Sequence, residues 1–188
     1  MSLEFNRRSF LKYSAAAAVA VAGSSLLVGC GEDEYQKTGK IGSTLKLMGA
    51  FKLESASLNT APDATTAANR TLTCNFNLKC TSKYGLNILP TNFQVEVTSK
   101  DNKVKTYHPL NAGSSSVFSL TENDNYLEKD ESLNTTLTVT NIKVADGDTI
   151  QVKFWPRPQA SEGSQAYTRA FCTWKMTVDS TATGTFLK

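Results

Sequence analysis

Residues 72–80 read LTCNFNLKC, and this stretch decides the fold. Apolar and polar residues alternate along it without a break, and the apolar positions are Leu72, Cys74, Phe76, Leu78 and Cys80. Successive side chains of a β-strand point to opposite faces of a sheet, so a period of two indicates a strand with one buried face. The stretch therefore predicts a strand that packs one face against a core.

The same pattern continues on both sides of this strand. Phe93, Val95 and Val97 alternate with polar residues, and residues 100–103 (KDNK) are typical of a hairpin turn. Further strands are predicted at residues 44–58, 104–107, 117–120, 133–139, 149–155 and 167–178. No segment of useful length has a helical period. We therefore expect residues 44–178 to form an all-β fold, a two-sheet antiparallel sandwich of about seven to nine strands.

The second half of this region carries a more specific pattern. Residues 137–152, LTVTNIKVADGDTIQV, resemble the E-strand, corner and F-strand of immunoglobulin domains. In that resemblance Ile142 closes one end of the core, and Asp146 and Gly147 turn the chain into the opposite sheet. Ile150 and Val152 stand where antibody-type domains have the corner Tyr and the second Cys. The resemblance therefore implies an immunoglobulin-like sandwich that is not of the antibody type.

The first 29 residues differ from the rest and read as a signal peptide. Its basic start resembles the twin-arginine export signal and carries Arg7, Arg8, Phe10, Leu11 and Lys12. The uncharged run at 13–28 is shorter than the roughly 20 residues that a membrane-spanning helix needs. The alternative is a buried helix that ends in an incidental Cys.

Residues 27–30, LVGC, resemble the bacterial lipobox. The resemblance implies cleavage before Cys30 and acylation of its sulfur, and two acyl chains anchor a protein stably where one does not. We expect residues 30–43 to be a lipidated tether, or alternatively to include a first edge strand, and residues 179–188 to be a C-terminal tail. The domain would then lie on the outer face of the cell membrane, or on the outer membrane if the host has two.

The lipobox and the strand pattern together resemble the small telokin-like immunoglobulin domains of bacterial lipoproteins of unassigned function. The likeness rests on the alternating strand at 72–80, on FQVEV at 93–97 and on the segment 133–139. These are patterns of polarity and not of chemistry. The resemblance therefore implies a fold more than a function.

Composition limits the chemistry of the mature chain. The 188 residues carry 20 Lys and Arg, 17 Asp and Glu, four Cys and one His. Without residues 1–29 there remain 17 basic and 16 acidic residues, a balance that does not favour nucleic acid as a partner. A single His excludes a multi-histidine metal site. No phosphate-binding or nucleophile motif is present, so we expect neither an enzyme nor a cofactor.

Three cysteines remain after Cys30. Cys74 and Cys80 lie six residues apart on one strand, about 20 Å at 3.3 Å per residue, which is too far for a disulfide. Cys172 shares a predicted inward face with Trp174, and the mid-strand positions of Cys74 and Cys172 favour a disulfide between these two across the core. The alternative is three reduced, buried thiols. Cys80 is left over in either case.

Each of three candidate sites of reactive chemistry lacks a required feature. Cys172 and Met176 have the spacing of a blue-copper site, but such a site needs two His and the chain has only His108. The acidic residues 122–131 offer oxygens for Ca²⁺ without the spacing of an EF-hand loop. His108 in a Ser/His/Asp triad has no Ser singled out by spacing.

The leading hypothesis is a non-catalytic binding module, anchored to the membrane through the lipid on Cys30, that recognises an envelope protein, peptide or glycan. Trp, Tyr and Arg often dominate interfaces, which makes the candidate surface Trp155, Arg157, Tyr167 and Tyr84, with the loop 84–90. Alternatively, Trp155 caps a strand and the apolar residues of the loop plug the sandwich. The other function classes are a Ca- or Cu-binding or redox envelope protein and, less favoured, a hydrolase.

Overall fold

A computed structural model of the protein describes residues 35–63, 66–111, 115–122, 126–156 and 170–188. Apart from the 3₁₀ turn Pro90–Asn92, the regular elements of these residues are strands. The strands are β1 Gln36–Gly39, β2 Thr44–Lys46, β3 Gly49–Leu58, β4 Ala68–Cys80, β5 Leu86–Asn87, β6 Phe93–Thr98, β7 Val104–Tyr107, β8 Phe118–Leu120, β9 Tyr126–Leu127, β10 Ser132–Val144, β11 Thr149–Phe154 and β12 Phe171–Thr177. The predicted all-β class is confirmed.

Two five-stranded sheets make up the sandwich. The first has the order β1-β12-β11-β6-β7 and the second β2-β3-β4-β10-β8, while β5 and β9 form a separate two-stranded ribbon. Aromatic rings join the sheets across the core: Phe51 lies 4.9 Å from Phe154, and Phe76 lies 5.4 Å from Trp174, between ring centroids. Two packed sheets with this strand order form an immunoglobulin-like sandwich, as predicted.

The alternation of apolar and polar residues along the strands determines which side chains form the core. Each apolar residue at 72–80 is at most 1% exposed, and the inward residues of β6 and the face that runs from Ala170 to Val178 are also buried. Burying one large apolar side chain contributes about 1.5–3 kcal/mol to stability, so these faces hold the two sheets together. The predicted inward faces of these strands are confirmed.

The corner between β10 and β11 moves the chain from the second sheet to the first. Gly147 has a φ of 80°, a left-handed conformation that favours glycine, and its N–H donates to the carbonyl of Val178 at 2.8 Å. The Asp146 carboxylate accepts from the Ser180 N–H at 2.7 Å, which with nearby Lys100 holds the pKa of Asp146 below its usual value. Ile142 is fully buried beside the corner. These positions agree with the predicted corner.

The boundaries of the domain differ from those expected. Gln36–Gly39, within the segment predicted as a tether, form β1 and pair in parallel with β12, so the alternative of a first edge strand is the one observed. At the other end Leu187 is 5% exposed and bridges to Val178, and Lys188 pairs with Asp179 at 2.8 Å. The segment predicted as a C-terminal tail therefore packs on the sandwich.

The described residues hold twelve strands, more than the seven to nine predicted. Residues 44–58 were expected to form one strand, but Met48, with a φ of 56°, turns the chain between β2 and β3. A lone left-handed residue of this kind leaves no trace in the polarity pattern. The other additions are β1 and the two-residue strands β5 and β9, which are too short to show a period.

Candidate interaction surface

Several loops meet at one end of the sandwich, which we call the loop end. It comprises Tyr35 and Ala170 with residues 81–92, 108–111, 126–131 and 155–156. The register places them together, because β6 starts at Phe93 opposite the last residue of β11, Phe154, and β12 starts beside them. The Tyr35 carbonyl accepts from the Phe171 N–H at 2.9 Å, so β1 also begins at this end. Both stretches predicted as the candidate surface, around Tyr84 and Trp155, therefore reach the same end.

Asn92 joins these two stretches. Its side chain is fully buried, and its Oδ1 accepts from the Leu89 N–H at 2.8 Å. Its Nδ2 donates to the carbonyls of Asn87 at 3.2 Å and Trp155 at 2.7 Å, and its own carbonyl accepts from the Trp155 N–H at 2.9 Å. A buried amide that satisfies main-chain groups of two segments fixes their relative position. Asn92 is thus the positioning residue of the loop end.

Trp155 is half-buried and packs against the sandwich. Its ring lies 5.3 Å from that of Phe171, and the Lys153 ammonium lies 5.5 Å from the same Phe171 ring. Leu86 and Ile88 are buried beneath the loop, whereas Leu89 is partly exposed. Trp155 therefore caps a strand, and Leu86 and Ile88 plug the end of the sandwich. This is the alternative interpretation expected for these residues from the sequence.

Tyr84 and Tyr126 lie exposed side by side at the loop end, with relative exposures of 66% and 55%. The Tyr126 hydroxyl donates to the Tyr84 carbonyl at 3.2 Å, and the Lys83 ammonium lies 4.8 Å from the Tyr84 ring centroid. Gly85 has a φ of 66°, and a Cβ there would overlap the Tyr126 ring. The glycine therefore lets the two loops approach closely.

Other predicted site residues lie outside the described residues. They are Cys30, the export residues Arg7, Arg8, Phe10, Leu11 and Lys12, and two members of the candidate surface, Arg157 and Tyr167.

The predicted disulfide between Cys74 and Cys172 is not formed, because both thiols are free and buried. Cys172 pairs with Phe154, whose ring contacts Phe51, and Phe51 pairs with Leu78. Leu78 lies four residues from Cys74, about 13 Å along the strand, whereas a disulfide spans about 7 Å at most. The expectation was wrong because it matched mid-strand positions, while β12 begins close to the loop end and β4 is 13 residues long.

We expect these thiols to be inert in the folded protein. Burial raises the pKa of Cys172 to about 12 and that of Cys74 still further, so little of the reactive thiolate exists near neutral pH. Labelling with a maleimide, followed by mass spectrometry, should modify Cys74, Cys80 and Cys172 only after unfolding. If only Cys80 is labelled in the unfolded, unreduced protein, Cys74 and Cys172 are joined by a disulfide after all.

His108 follows β7 directly, the position expected for a loop residue. Its Nδ1 accepts from the Leu110 N–H at 3.2 Å, so its Nε2 carries the proton and faces the Thr91 carbonyl at 3.3 Å. Both ring nitrogens are therefore engaged with main chain. Among the described residues no three His, Cys, Asp or Glu side chains cluster in a way that could hold a metal ion.

A groove of about 470 Å³ lies at the opposite end of the sandwich, where β12 ends. Lys40, Lys175 and Lys188 line it together with Met176. Lys188 is paired with Asp179, and this pairing raises the pKa of the lysine and lowers that of the aspartate. Part of the positive charge of the groove is thus neutralised within the protein.

Sequence reasoning missed Asn92, Tyr126, Tyr35 and Leu110 at the loop end. A Pro two residues before Asn92 and the start of an alternating strand just after it were a usable signal for a fixed turn. No comparable signal marked the other three, because exposure of a lone apolar residue in a loop depends on which loops meet it.

Comparisons with known proteins support export of the chain and say little about its function. Residues 4–24 match the family model of the TAT (twin-arginine translocation) pathway signal sequence. No curated protein matches. The yjhA protein from Bacillus subtilis is a structural neighbour at 11% identity and a TM-score of 0.43, over 72% of this chain and 98% of that one.

The signal match indicates export across the cytoplasmic membrane by the twin-arginine pathway. The chain is thus an exported protein with an immunoglobulin-like β-sandwich. No helix among the described residues is long and apolar enough to cross a membrane.

Proposed function

We propose that the protein is a lipid-anchored, non-catalytic interaction module on the outer face of the membrane. Residues 27–30, LVGC, follow the matched signal at the spacing of a lipobox, so cleavage would leave an acylated Cys30 at the new N-terminus. Two acyl chains hold a soluble domain stably at a bilayer. The likeness to telokin-like immunoglobulin domains rests on alternating strands such as 72–80 and 93–97, each of which is buried on its apolar face.

The loop end is the interaction surface in this proposal, and one observation carries it. Five of the seven large apolar side chains that are exposed among the described residues lie there, namely Tyr35, Tyr84, Leu89, Leu110 and Tyr126. Scattered apolar residues on a surface are ordinary, whereas a concentration at one end marks an interaction site. Tyr side chains offer large contact area with little loss of conformational entropy.

The chemistry of this surface supports binding over catalysis. The large exposed side chains are aromatic or aliphatic, and two polar side chains of the loop end already bond main-chain groups: Asn92 holds two loops together, and both ring nitrogens of His108 face main-chain atoms. The neighbouring ionised groups Lys83 and Glu131 have similar contacts, to a ring and to a backbone N–H.

The lipid anchor is tested by replacing Cys30. We expect the wild-type protein to partition into the detergent phase on Triton X-114 separation and Cys30→Ser to partition into the aqueous phase, because the variant lacks the acylated sulfur. A control with Arg7→Lys and Arg8→Lys should keep the uncleaved precursor inside the cell, which separates export from acylation. Detergent partitioning that persists in Cys30→Ser would contradict the proposal.

A further inference from the structure

The chain enters the domain at the end that carries most of the exposed apolar side chains. Tyr35 enters β1 at the loop end, and β1 runs from there toward the far end along β12. Cys30 precedes Tyr35 by five residues, which span at most about 18 Å when fully extended. A tether of this length holds the loop end next to any bilayer that carries the acyl chains. The long tether expected from sequence would have left the orientation of the domain open.

The side chains at the loop end suit the boundary between lipid and water. Tyrosine has an apolar ring and a polar hydroxyl, and tyrosines concentrate where a bilayer meets water. Tyr35, Tyr84 and Tyr126 are 50%, 66% and 55% exposed, and Leu110, also at the loop end, is 73% exposed. The Lys83 ammonium over the Tyr84 ring extends an apolar stem with a charged tip, as lysines do at such boundaries.

Charge at this end favours a zwitterionic lipid surface over an anionic one. The loop end carries two lysines, Lys83 and Lys129, against Glu128, Asp130 and Glu131. Residues 31–34, GEDE, add three acidic residues between Cys30 and the domain. Electrostatic attraction to anionic lipids needs clustered basic residues, and the described residues of the loop end contain no such cluster. Contact would therefore depend on apolar area and respond weakly to salt.

We propose that the partner of the loop end is the bilayer itself: Tyr84, Tyr126 and Leu110 rest on the outer leaflet to which Cys30 anchors the domain. This inference rests on the proposed lipid anchor and deepens it, because it assigns the occupant of the surface. The opposite end, with Val104 and the lysine-lined groove, then points away from the membrane.

The experiment compares one position at each end of the acylated full-length protein. Tyr84→Cys and Val104→Cys each carry an environment-sensitive fluorophore, and Val104 is the matched control because it is 60% exposed at the far end. Cys74, Cys80 and Cys172 are fully buried and Cys30 is acylated, so the dye reacts with the new thiol. The proteins are bound to phosphatidylcholine vesicles that contain a nitroxide-labelled lipid.

The dye at position 84 should shift its emission to the blue and be quenched several-fold more strongly than the dye at 104, with little effect of salt. Equal quenching at both positions in protein that floats with the vesicles would overturn the inference and leave the anchor intact. Failure to float would remove the anchor and the inference with it. Position 84 could instead be protected from labelling in intact cells while its dye is not quenched in pure lipid vesicles. The surface would then bind a protein or glycan, and the inference would be overturned.

Discussion

Trp174→Ala is expected to lower the free energy of unfolding by about 3–5 kcal/mol, the cost of removing a large aromatic side chain from a core. The Trp174 ring is fully buried and lies 5.4 Å from that of Phe76 in the other sheet, so its loss opens a cavity between the two layers. The indole N–H also donates to the Ser43 carbonyl at 3.1 Å. Urea denaturation followed by far-ultraviolet circular dichroism measures the change.

The hydrogen bond to Ser43 gives this prediction a second, local consequence. Ser43 lies in the turn after β1, so Trp174 attaches the edge strand to the core as well as filling it. We expect amide exchange in Lys37–Gly39 to accelerate more than exchange in β4 when Trp174 is replaced. Trp155→Ala is the control, since Trp155 is half-buried at the loop end and its loss should cost less. A loss under about 1 kcal/mol for Trp174→Ala would mean that the indole does not fill the core.

The core was predictable from the sequence because two-residue periodicity is a direct consequence of strand geometry. Leu72, Phe76 and Trp174 face inward as their alternation predicts, and Asp146 and Gly147 make the corner that the immunoglobulin pattern implies. Patterns of this kind are local. They report which face of an element is buried and where the chain turns.

The predictions from sequence failed where the position of a residue depends on the strand that pairs with it or packs against it. Gln36–Gly39 are mostly polar, and what makes them a strand is main-chain pairing with β12, which no periodicity records. Equal heights for Cys74 and Cys172 were expected from their places in their own strands, but the ring contact between Phe154 and Phe51 places Cys172 closer to the level of Leu78 than to that of Cys74. Register between sheets is not a property of either sequence segment alone.

Only part of the candidate surface could be predicted from the sequence, because the exposure of a loop residue also depends on its neighbours in the fold. The segments that contain Tyr84 and Trp155 reach the same end of the fold because Asn92 binds both, and the aromatic content of each segment was visible in the sequence. Which aromatic is exposed was not visible: Trp155 packs on Phe171, while Tyr126, in a stretch considered for calcium, stands open beside Tyr84.

Asn92→Ala should lower the free energy of unfolding by about 2–4 kcal/mol, because a buried polar group left without a partner costs about 1–3 kcal/mol. The variant removes three side-chain hydrogen bonds and leaves the Leu89 N–H and the Trp155 carbonyl without their partner. The matched control is Asn111→Ala at the same end, where an exposed amide makes one long contact of 3.5 Å to Thr106. That control should change stability by less than about 0.5 kcal/mol.

Asn92→Asp separates the loss of hydrogen-bond donors from the loss of volume. The aspartate keeps an acceptor for the Leu89 N–H, but it sets a carboxylate oxygen against the carbonyls of Asn87 and Trp155, so it should also destabilise the protein at neutral pH. A protonated carboxyl regains one donor, and its deficit relative to wild type should therefore shrink as the pH falls. Equal stability of Asn92→Asp and wild type at neutral pH would show that the two carbonyls do not depend on this amide, and the loop end would then need another explanation for its shape.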